Sequence, residues 1–227
     1  MKKPNAKPFF PDDDIDSILC EIKNSLKSGI LTLGPNVVKL EKEFARYVGV
    51  EYAIAVNAGT SALEIALRYY DLKGGESIVP TNSFVASANA VILAGGKPIF
   101  VDIDRSTLNI SLKDLESKIS KRTKALMLVH VLGNSVNMNK LINIIKKKKL
   151  ILIEDTCEAL GSKFNNRNLG GFGDFSTFSF YFSHQISSVE GGMICCKNKQ
   201  DEDIIKSLRS HGWSKDLSIQ RKIEKKF

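Results

Sequence analysis

The sequence predicts a three-layer α/β domain built around a mainly parallel sheet. Short apolar runs alternate along the chain with amphipathic segments of helical spacing, which is the pattern of parallel strands joined by crossover helices. Two of the runs, 125–129 and 150–153, are apolar at every position, as expected of strands that are buried on both faces. The 227 residues are enough for one large domain with a substantial core.

Two helices are predicted before the first strand. Asp14 is placed to cap a helix whose apolar residues recur at helical spacing and which should end at Gly29. A second helix, from about 36 to 48, should end at Gly49. The predicted strands, with helices between the first five and a last helix from about 201 to 209, are Tyr52–Val56, Ser77–Val79, Pro98–Val101, Ala125–Val129, Leu150–Ile153, Ser176–Tyr181 and Met193–Cys196.

Composition excludes several classes of function. The net charge of +8 comes from scattered lysines without interleaved aromatic residues or a reading motif, so nucleic acid is not an expected partner. No apolar run reaches the roughly 18 residues of a membrane span and the N-terminus lacks a signal core, so we expect a cytoplasmic protein without a membrane partner. The four cysteines show no CxxC spacing, which favours reduced thiols, and we predict no metal site.

Two turns after predicted strands carry residues suited to a ligand, because ligands of open α/β sheets bind beyond the carboxyl ends of strands. Residues 57–61 (Asn-Ala-Gly-Thr-Ser) open a helix from about Ala62, whose free N–H groups and dipole suit a phosphate; alternatively, Thr60 or Ser61 only caps that helix. Asp155 follows a buried strand, where a protonated pyridine nitrogen would give its carboxylate a partner. A helix cap or a structural ion pair is the alternative.

An ordered set of motifs resembles a known family. The motifs are Leu33-Gly34-Pro35, Ala58-Gly59-Thr60-Ser61-Ala62, Pro80-Thr81-Asn82-Ser83-Phe84, Asp102-Ile103-Asp104, Glu154-Asp155 and the block from Ser179 to Gly192. Together they resemble the DegT/DnrJ/EryC1/StrS family of sugar aminotransferases over about residues 8–215. The resemblance implies the fold of type I pyridoxal-phosphate enzymes, a homodimer, and an active site between the two subunits.

The resemblance also assigns residues to a pyridoxal or pyridoxamine phosphate. Those that would hold its phosphate group are Gly59, Thr60 and Ser179. Those that would contact its ring are Phe84, stacked on the face, Asp155 at the pyridine nitrogen, and Glu158 near the ring hydroxyl. Phe84 could instead belong to the core, and Ser179 could be a strand serine bonded to backbone.

His184 stands where this family carries its cofactor-binding lysine, five positions after Ser179. A lysine amine bonds covalently to pyridoxal phosphate, whereas an imidazole only transfers protons near neutral pH, so the cofactor should be held noncovalently. The segments around His184, Glu190 and His211 resemble the nucleotide-sugar 3-dehydratase branch, especially enzymes that act on GDP-4-keto-6-deoxymannose. In that branch the histidine is the base, and glutamate renews pyridoxamine phosphate.

Two further features are compared with the dehydratase branches. One branch uses an iron-sulfur cluster, and Cys157 resembles one of its cysteines, but none follows between 209 and 227, so no cluster is expected and Cys157 is interpreted as a small buried residue. In the cluster-free branch a histidine and a basic residue approach from the neighbouring subunit, which matches His211 and Lys215. Lys215 offers a point charge in place of an arginine fork.

Two nearby residues are interpreted separately. Gln185 departs from the paired histidines that are common in this branch. His130, at the end of a strand, is predicted to have a structural role.

The predicted organisation has an N-terminal helical segment (1–30), a large cofactor-binding domain (31–212) and a connection (213–227) to a smaller C-terminal domain that the family carries and this chain lacks. We therefore expect a truncated or interrupted reading frame, or one half of a split pair. Three functions stay open: a nucleotide-sugar dehydratase of polysaccharide biosynthesis, a sugar aminotransferase that uses another lysine, and an inactive remnant that at most binds cofactor or dimerises.

Overall fold

The computed structural model describes residues 7–213. Within this range the α-helices are α1 (Asp12–Ser28), α2 (Pro35–Val48), α3 (Gly59–Tyr69), α4 (Val85–Leu93), α5 (Leu112–Lys118), α6 (Met138–Lys148) and α7 (Lys199–Arg209), and residues Val131–Gly133 form a short 3-10 helix. The strands are β1 (Tyr52–Val56), β2 (Glu76–Pro80), β3 (Lys97–Val101), β4 (Thr123–Val129), β5 (Ile151–Asp155), β6 (Lys163–Phe164), β7 (Arg167–Asn168), β8 (Phe175–Ser179) and β9 (Gly192–Cys196).

Seven of these strands form one mixed, mostly parallel sheet in the order β1-β9-β8-β5-β4-β2-β3. All neighbours pair in parallel except β9, which runs antiparallel to both β1 and β8. Strands β6 and β7 form a separate two-stranded ribbon. The three-layer, mainly parallel α/β architecture predicted from the sequence is confirmed.

The central strands are buried on both faces, as their uniformly apolar sequences predict. In β4, Ala125 and Met127 belong to one apolar core, while Leu126 and Leu128 belong to another. Because successive side chains of a strand point to opposite faces, these two cores lie on the two sides of the sheet. The core that contains Ala125 also includes residues of α3 and α4, so those helices cover one face of the sheet.

Several element boundaries differ from the predicted ones in ways that affect the site. α3 begins at Gly59, three residues before the predicted start, so the small-residue turn is itself the first turn of the helix. β5 runs to Asp155 rather than ending at Ile153, and β8 ends at Ser179 rather than at Tyr181. Asp155 is part of β5 because ladder pairing, and not apolarity, defines a strand, and Asp155 pairs with Val129 and Thr177.

α1 differs from the other helices because none of its residues is buried. It begins at Asp12 directly after Pro11, so the prediction that Asp14 caps it is wrong; Asp14 lies in the first turn, where a carboxylate favours the helix dipole. The helix ends at Gly29, which has a left-handed φ of 71°, as predicted. Its apolar positions are between 41% and 64% exposed, namely Ile15, Ile18, Leu19, Ile22 and Leu26.

None of the helices within 7–213 combines the length and the apolar character that crossing a membrane requires.

Candidate active site

A cavity of about 550 Å³ opens at the carboxyl edge of the sheet. The register of the strands explains its position, because Val56 at the end of β1 pairs with Gly192, which pairs in turn with Ser179 at the end of β8. Asp155 ends β5 and pairs with Thr177, two residues before Ser179. Three strand ends therefore meet at one edge, and the segments that follow them surround the cavity.

The N-terminus of α3 forms one wall of this cavity. The helix begins at Gly59, and the N–H groups of its first turn have no intrahelical acceptors. The preceding residue, Ala58, provides no side-chain cap for them. Thr60 and Ser61 both lie inside the first turn, and the alternative in which either residue caps the helix is therefore wrong. An uncapped helix N-terminus that faces a cavity suits a phosphate group.

Strands β8 and β9 both pack closely against the start of α3. A methyl group on Gly59 would lie 2.8 Å from the Cβ of Ser179, and one on Gly192 would lie 2.6 Å from the carbonyl carbon of Ala58. The Ser179 Oγ accepts the N–H of Tyr181 at 3.3 Å, which leaves the hydroxyl proton free to donate to a ligand. Ser179 is thus both bonded to backbone and present at the cavity wall.

Asp155 is buried at the cavity with only 6% of its surface exposed. Its Oδ2 accepts the hydroxyl proton of Ser87 at 2.8 Å, and its Oδ1 accepts the N–H of Cys157 at 3.3 Å. No basic side chain of residues 7–213 forms an ion pair with Asp155, so a structural ion pair is not its role in the described chain. A cation that entered the cavity would supply the partner that a buried carboxylate needs.

A second buried carboxylate lies behind the site, one residue before Asp155. Glu154 contacts the Nε2 of His130 at 2.9 Å and accepts the N–H groups of Gly170, Phe172 and Gly173 at 3.0, 2.8 and 2.6 Å. Burial alone would raise the pKa of Glu154, but the His130 hydrogen bond and charge, with the backbone donors, outweigh burial and lower it. His130 is fully buried and does not line the cavity, in agreement with a structural role.

The loop between β8 and β9 carries His184 into the cavity lining. The N–H of His184 donates to the carbonyl of Tyr181 at 3.0 Å, and the two rings meet at a centroid distance of 6.4 Å. Gln185 donates from Nε2 to the carbonyl of Glu158 at 2.7 Å, so this departure from the paired histidines ties the loop to the segment after β5. The Glu158 carboxylate accepts the N–H of Leu132 at 2.8 Å.

Cys157 lines the cavity and is half-buried, so the interpretation of this residue as a buried one is only partly correct. Burial, followed by the nearby charge and hydrogen bond of Asp155, raises the pKa of the Cys157 thiol well above its ordinary value. No group of three or more side chains within 7–213 is arranged to bind a metal ion.

Seven of the nine residues predicted for the site line this one cavity. They are Gly59, Thr60, Phe84, Asp155, Glu158, Ser179 and His184. Phe84 is 73% exposed, which contradicts the alternative that it belongs to the core. His211 lies exposed after α7 and does not line the cavity, and Lys215 lies outside the described residues.

Sequence reasoning missed several residues of the site. Tyr181, Ser183 and Glu190 also line the cavity, although they belong to a block that the sequence singled out. Ser87, which contacts Asp155, was missed because it lies outside all the motifs named above, 68 residues from Asp155 along the chain. A serine buried within the small and apolar helix α4 is the signal that could have found it.

The described residues fit a pyridoxal or pyridoxamine phosphate. The cavity volume falls within the roughly 300–1,000 Å³ of small-molecule and cofactor sites. Helix N–H groups and the Ser179 hydroxyl suit the phosphate group, Asp155 suits a protonated ring nitrogen, and Phe84 offers an exposed aromatic face. The close approach of Gly59 to Ser179 leaves no room for a side chain at the helix start.

A sequence model of the DegT/DnrJ/EryC1/StrS aminotransferase family matches residues 12–226, which include the whole cavity lining. The chain belongs to this family. Members of the family are pyridoxal-phosphate-dependent sugar aminotransferases and 3-dehydratases, and the fold predicted from the resemblance is confirmed by the solved relatives.

The relatives of the chain within the DegT/DnrJ/EryC1/StrS family differ in activity. This chain is 42% identical over 171 residues to the GDP-perosamine synthase of Escherichia coli O157:H7, and the match covers 75% of this chain and 47% of the synthase. It is 36% identical over 221 residues to the GDP-4-keto-6-deoxy-D-mannose 3-dehydratase of Yersinia pseudotuberculosis, covering 94% of this chain and 55% of that one.

A solved structure of the Escherichia coli GDP-4-keto-6-deoxy-D-mannose 3-dehydratase with bound hydrated pyridoxal phosphate matches this chain with a TM-score of 0.85 at 34% sequence identity. That match covers 95% of this chain and 56% of the dehydratase. The chain therefore spans about half the length of the family members that it matches.

Proposed function

We propose that this chain acts in a nucleotide-sugar 3-dehydratase, which removes the C3 hydroxyl of a GDP-linked 4-keto-6-deoxyhexose with pyridoxamine phosphate as cofactor. The observation that carries the proposal is the cavity lining, because His184 lines the cavity and no lysine among the described residues does. A lysine is the residue that would bond covalently to pyridoxal phosphate. Glutamate is the proposed amino donor, and a solved dehydratase relative has pyridoxal phosphate trapped with glutamate.

Each residue of the cavity has a proposed role toward the cofactor. When bound, pyridoxamine phosphate supplies an amine for the C4 ketone of the sugar and a ring that accepts electrons. The α3 N-terminus at Gly59 and Thr60, together with Ser179, would hold its phosphate group, and Asp155 would keep its ring nitrogen protonated. Phe84 would cover one face of the ring.

His184 is the proposed base. It would take the proton from the C4′ carbon of the cofactor and, once protonated, donate to the departing C3 oxygen of the sugar. Glu158 is proposed to lie near the ring hydroxyl.

The site is proposed to be completed by a second copy of the chain. Exposed apolar residues border the cavity or lie in the segments that line it, namely Phe84, Val85, Leu132, Ile186 and Val189. A patch of this kind marks an interaction surface. His211 and Lys215 are proposed to reach the cavity of the partner subunit, where they would contact the substrate or the amino donor.

The test of the dehydratase is incubation of the chain with pyridoxamine phosphate, glutamate and a GDP-4-keto-6-deoxyhexose. The expected product lacks the C3 hydroxyl, and His184→Asn should reduce turnover by about 10²- to 10⁴-fold while it retains the cofactor. An amino sugar as product would contradict the proposal. Cofactor binding without turnover in the unmodified chain would indicate the inactive remnant instead.

An aminotransferase is the second candidate, favoured by the 42% identity to a GDP-perosamine synthase. It requires a lysine that bonds covalently to pyridoxal phosphate. If the chain is a dehydratase, borohydride reduction in the presence of pyridoxal phosphate should leave the unmodified chain unlabelled. The variant His184→Lys should become labelled, because it restores an amine at the cavity. Stoichiometric labelling of one lysine in the unmodified chain would favour the aminotransferase.

A further inference from the structure

The hydroxyl of Ser87 is the partner of Asp155 on the side away from the turn after β5. Ser87 is fully buried, and its Oγ lies 2.8 Å from the Oδ2 of Asp155. It occupies the third position of α4, where its N–H donates to the carbonyl of Phe84 at 3.1 Å. The helix that follows Phe84 thus also delivers a buried donor to Asp155, across 68 residues of sequence.

The contact joins a hydroxyl donor to the carboxylate of Asp155. An ionised carboxylate only accepts hydrogen bonds, and a serine hydroxyl has one proton to donate. A hydrogen bond to the charged form favours that form, and bonds to charged groups are stronger than neutral ones. Because Cys157 donates to Oδ1, the two oxygens are held by different elements, which fixes the rotation of the carboxylate.

We propose that Ser87 is a positioning residue that holds the Asp155 carboxylate in the orientation in which it binds the protonated ring nitrogen of the cofactor. The inference rests on the proposed function and deepens it, because it concerns the same cavity. Without Ser87, Oδ2 loses the contact that fixes the rotation of the carboxylate, and the carboxylate binds the protonated ring nitrogen less tightly.

The test compares Ser87→Ala with the unmodified chain by equilibrium binding of two probes. One is pyridoxamine phosphate, and the other is its analogue with carbon in place of the ring nitrogen, which offers Asp155 no proton. Ser87→Ala should weaken binding of pyridoxamine phosphate by about tenfold, because a carboxylate that is free to rotate binds the protonated ring nitrogen less tightly. Binding of the analogue should change by about twofold or less, whereas a merely structural role would weaken both equally.

Ser77→Ala is the matched control. Ser77 is a fully buried serine on β2 whose hydroxyl has no hydrogen-bond partner within the described chain, so its removal should leave both affinities unchanged. Circular dichroism measures whether the two variants fold. We expect Ser87→Ala to fold because alanine favours a helix.

A second measurement follows the near-ultraviolet absorption of bound pyridoxamine phosphate against pH. In Ser87→Ala the protonated-ring form should be lost at lower pH than in the unmodified chain. If Ser87→Ala weakened the binding of both probes equally, or changed neither the affinity nor the absorption, the proposed role of Ser87 would be overturned. Failure of the unmodified chain to bind either probe would overturn the proposed function, and this inference with it.

Discussion

At the level of single residues, the candidate site depends on glycines that allow two segments to touch. Gly59 and Gly192 have no side chain where Ser179 and the carbonyl of Ala58 come within 3 Å of an added methyl group. These contacts bring the Ser179 hydroxyl to the uncapped start of α3. The phosphate site proposed for the cavity therefore depends on the absence of two side chains as well as on the presence of polar ones.

Replacement of Gly59 by alanine should weaken pyridoxamine phosphate binding by about tenfold or more. The added methyl group would lie 2.8 Å from the Ser179 Cβ, so the helix start and β8 must separate, at a cost of about 1–3 kcal/mol in stability. Isothermal titration calorimetry measures the affinity. Ser61→Ala, in the same helix turn but outside the cavity lining, serves as the control and should bind normally. Unchanged affinity in Gly59→Ala would show that the phosphate lies elsewhere.

Glu154→Gln should remove part of the acid sensitivity of the fold. The folded pKa of Glu154 lies below its ordinary value of 4.5, so the stability that it contributes is fully present above about pH 4.5 and is lost as pH falls through the lower folded value. An amide cannot accept from His130 and three backbone N–H groups at once, and we expect a loss of about 3–5 kcal/mol at pH 7.

Urea unfolding between pH 3 and 7 measures both effects of the Glu154→Gln substitution. The difference in unfolding free energy between the unmodified chain and the variant should shrink toward acid pH. A difference in unfolding free energy that stays constant with pH would contradict the lowered pKa of Glu154.

At the level of elements, the helices differ in how much they contribute to the core. α2 buries Phe44, which meets Phe178 and Phe180 edge to face at ring distances of 4.9 and 5.5 Å. α1 buries nothing, although its apolar residues follow the same helical spacing. An amphipathic sequence thus indicates a helix and its apolar face, but not whether that face is covered.

Deletion of residues 1–30 should therefore leave the remaining domain folded. We expect a change of less than about 1 kcal/mol in unfolding free energy, similar to that of a few surface substitutions. Phe44→Ala in the full chain is the comparison, with an expected loss of about 3–5 kcal/mol because it removes a buried ring. Chemical denaturation followed by circular dichroism measures both. A large loss on deletion would show that α1 is integral to the domain.

At the level of the whole molecule, the candidate site lies at one edge of the sheet. The ends of β1, β5 and β8 meet there, and the exposed apolar residues of the proposed dimer surface border the same cavity. A dimer formed through this surface would cover those apolar side chains and exclude water from the cavity.

Val85→Asp should dissociate the proposed dimer without unfolding the subunit. Val85 is 61% exposed beside Phe84, and a carboxylate in the first turn of α4 favours the helix dipole, so the subunit itself should remain stable. Phe100→Asp, at an exposed position of the outermost strand β3, is the control and should leave the dimer intact. Sedimentation velocity distinguishes the two. A monomeric unmodified chain would contradict the dimer.

Local patterns predicted most of the fold. The strands were predictable because apolar runs such as 125–129 report burial on both faces, and Gly29 and Gly49 mark helix ends because both residues have positive φ. Boundaries were less predictable where polar residues end a strand. Asp155 extends β5 through its ladder pairing with Val129, which no local property of the residue reveals.

For the candidate site, the sequence by itself determined the family and the candidate residues, because the motifs around Gly59, Asp155 and His184 belong to the matched part of the chain. Only the tertiary structure decided that these segments line one cavity, that Phe84 is exposed, and that Ser87 bonds to Asp155. The physical reason is that periodicity and turn chemistry act over a few residues. Contacts between distant segments depend instead on strand register and helix packing, which the chain adopts only as a whole.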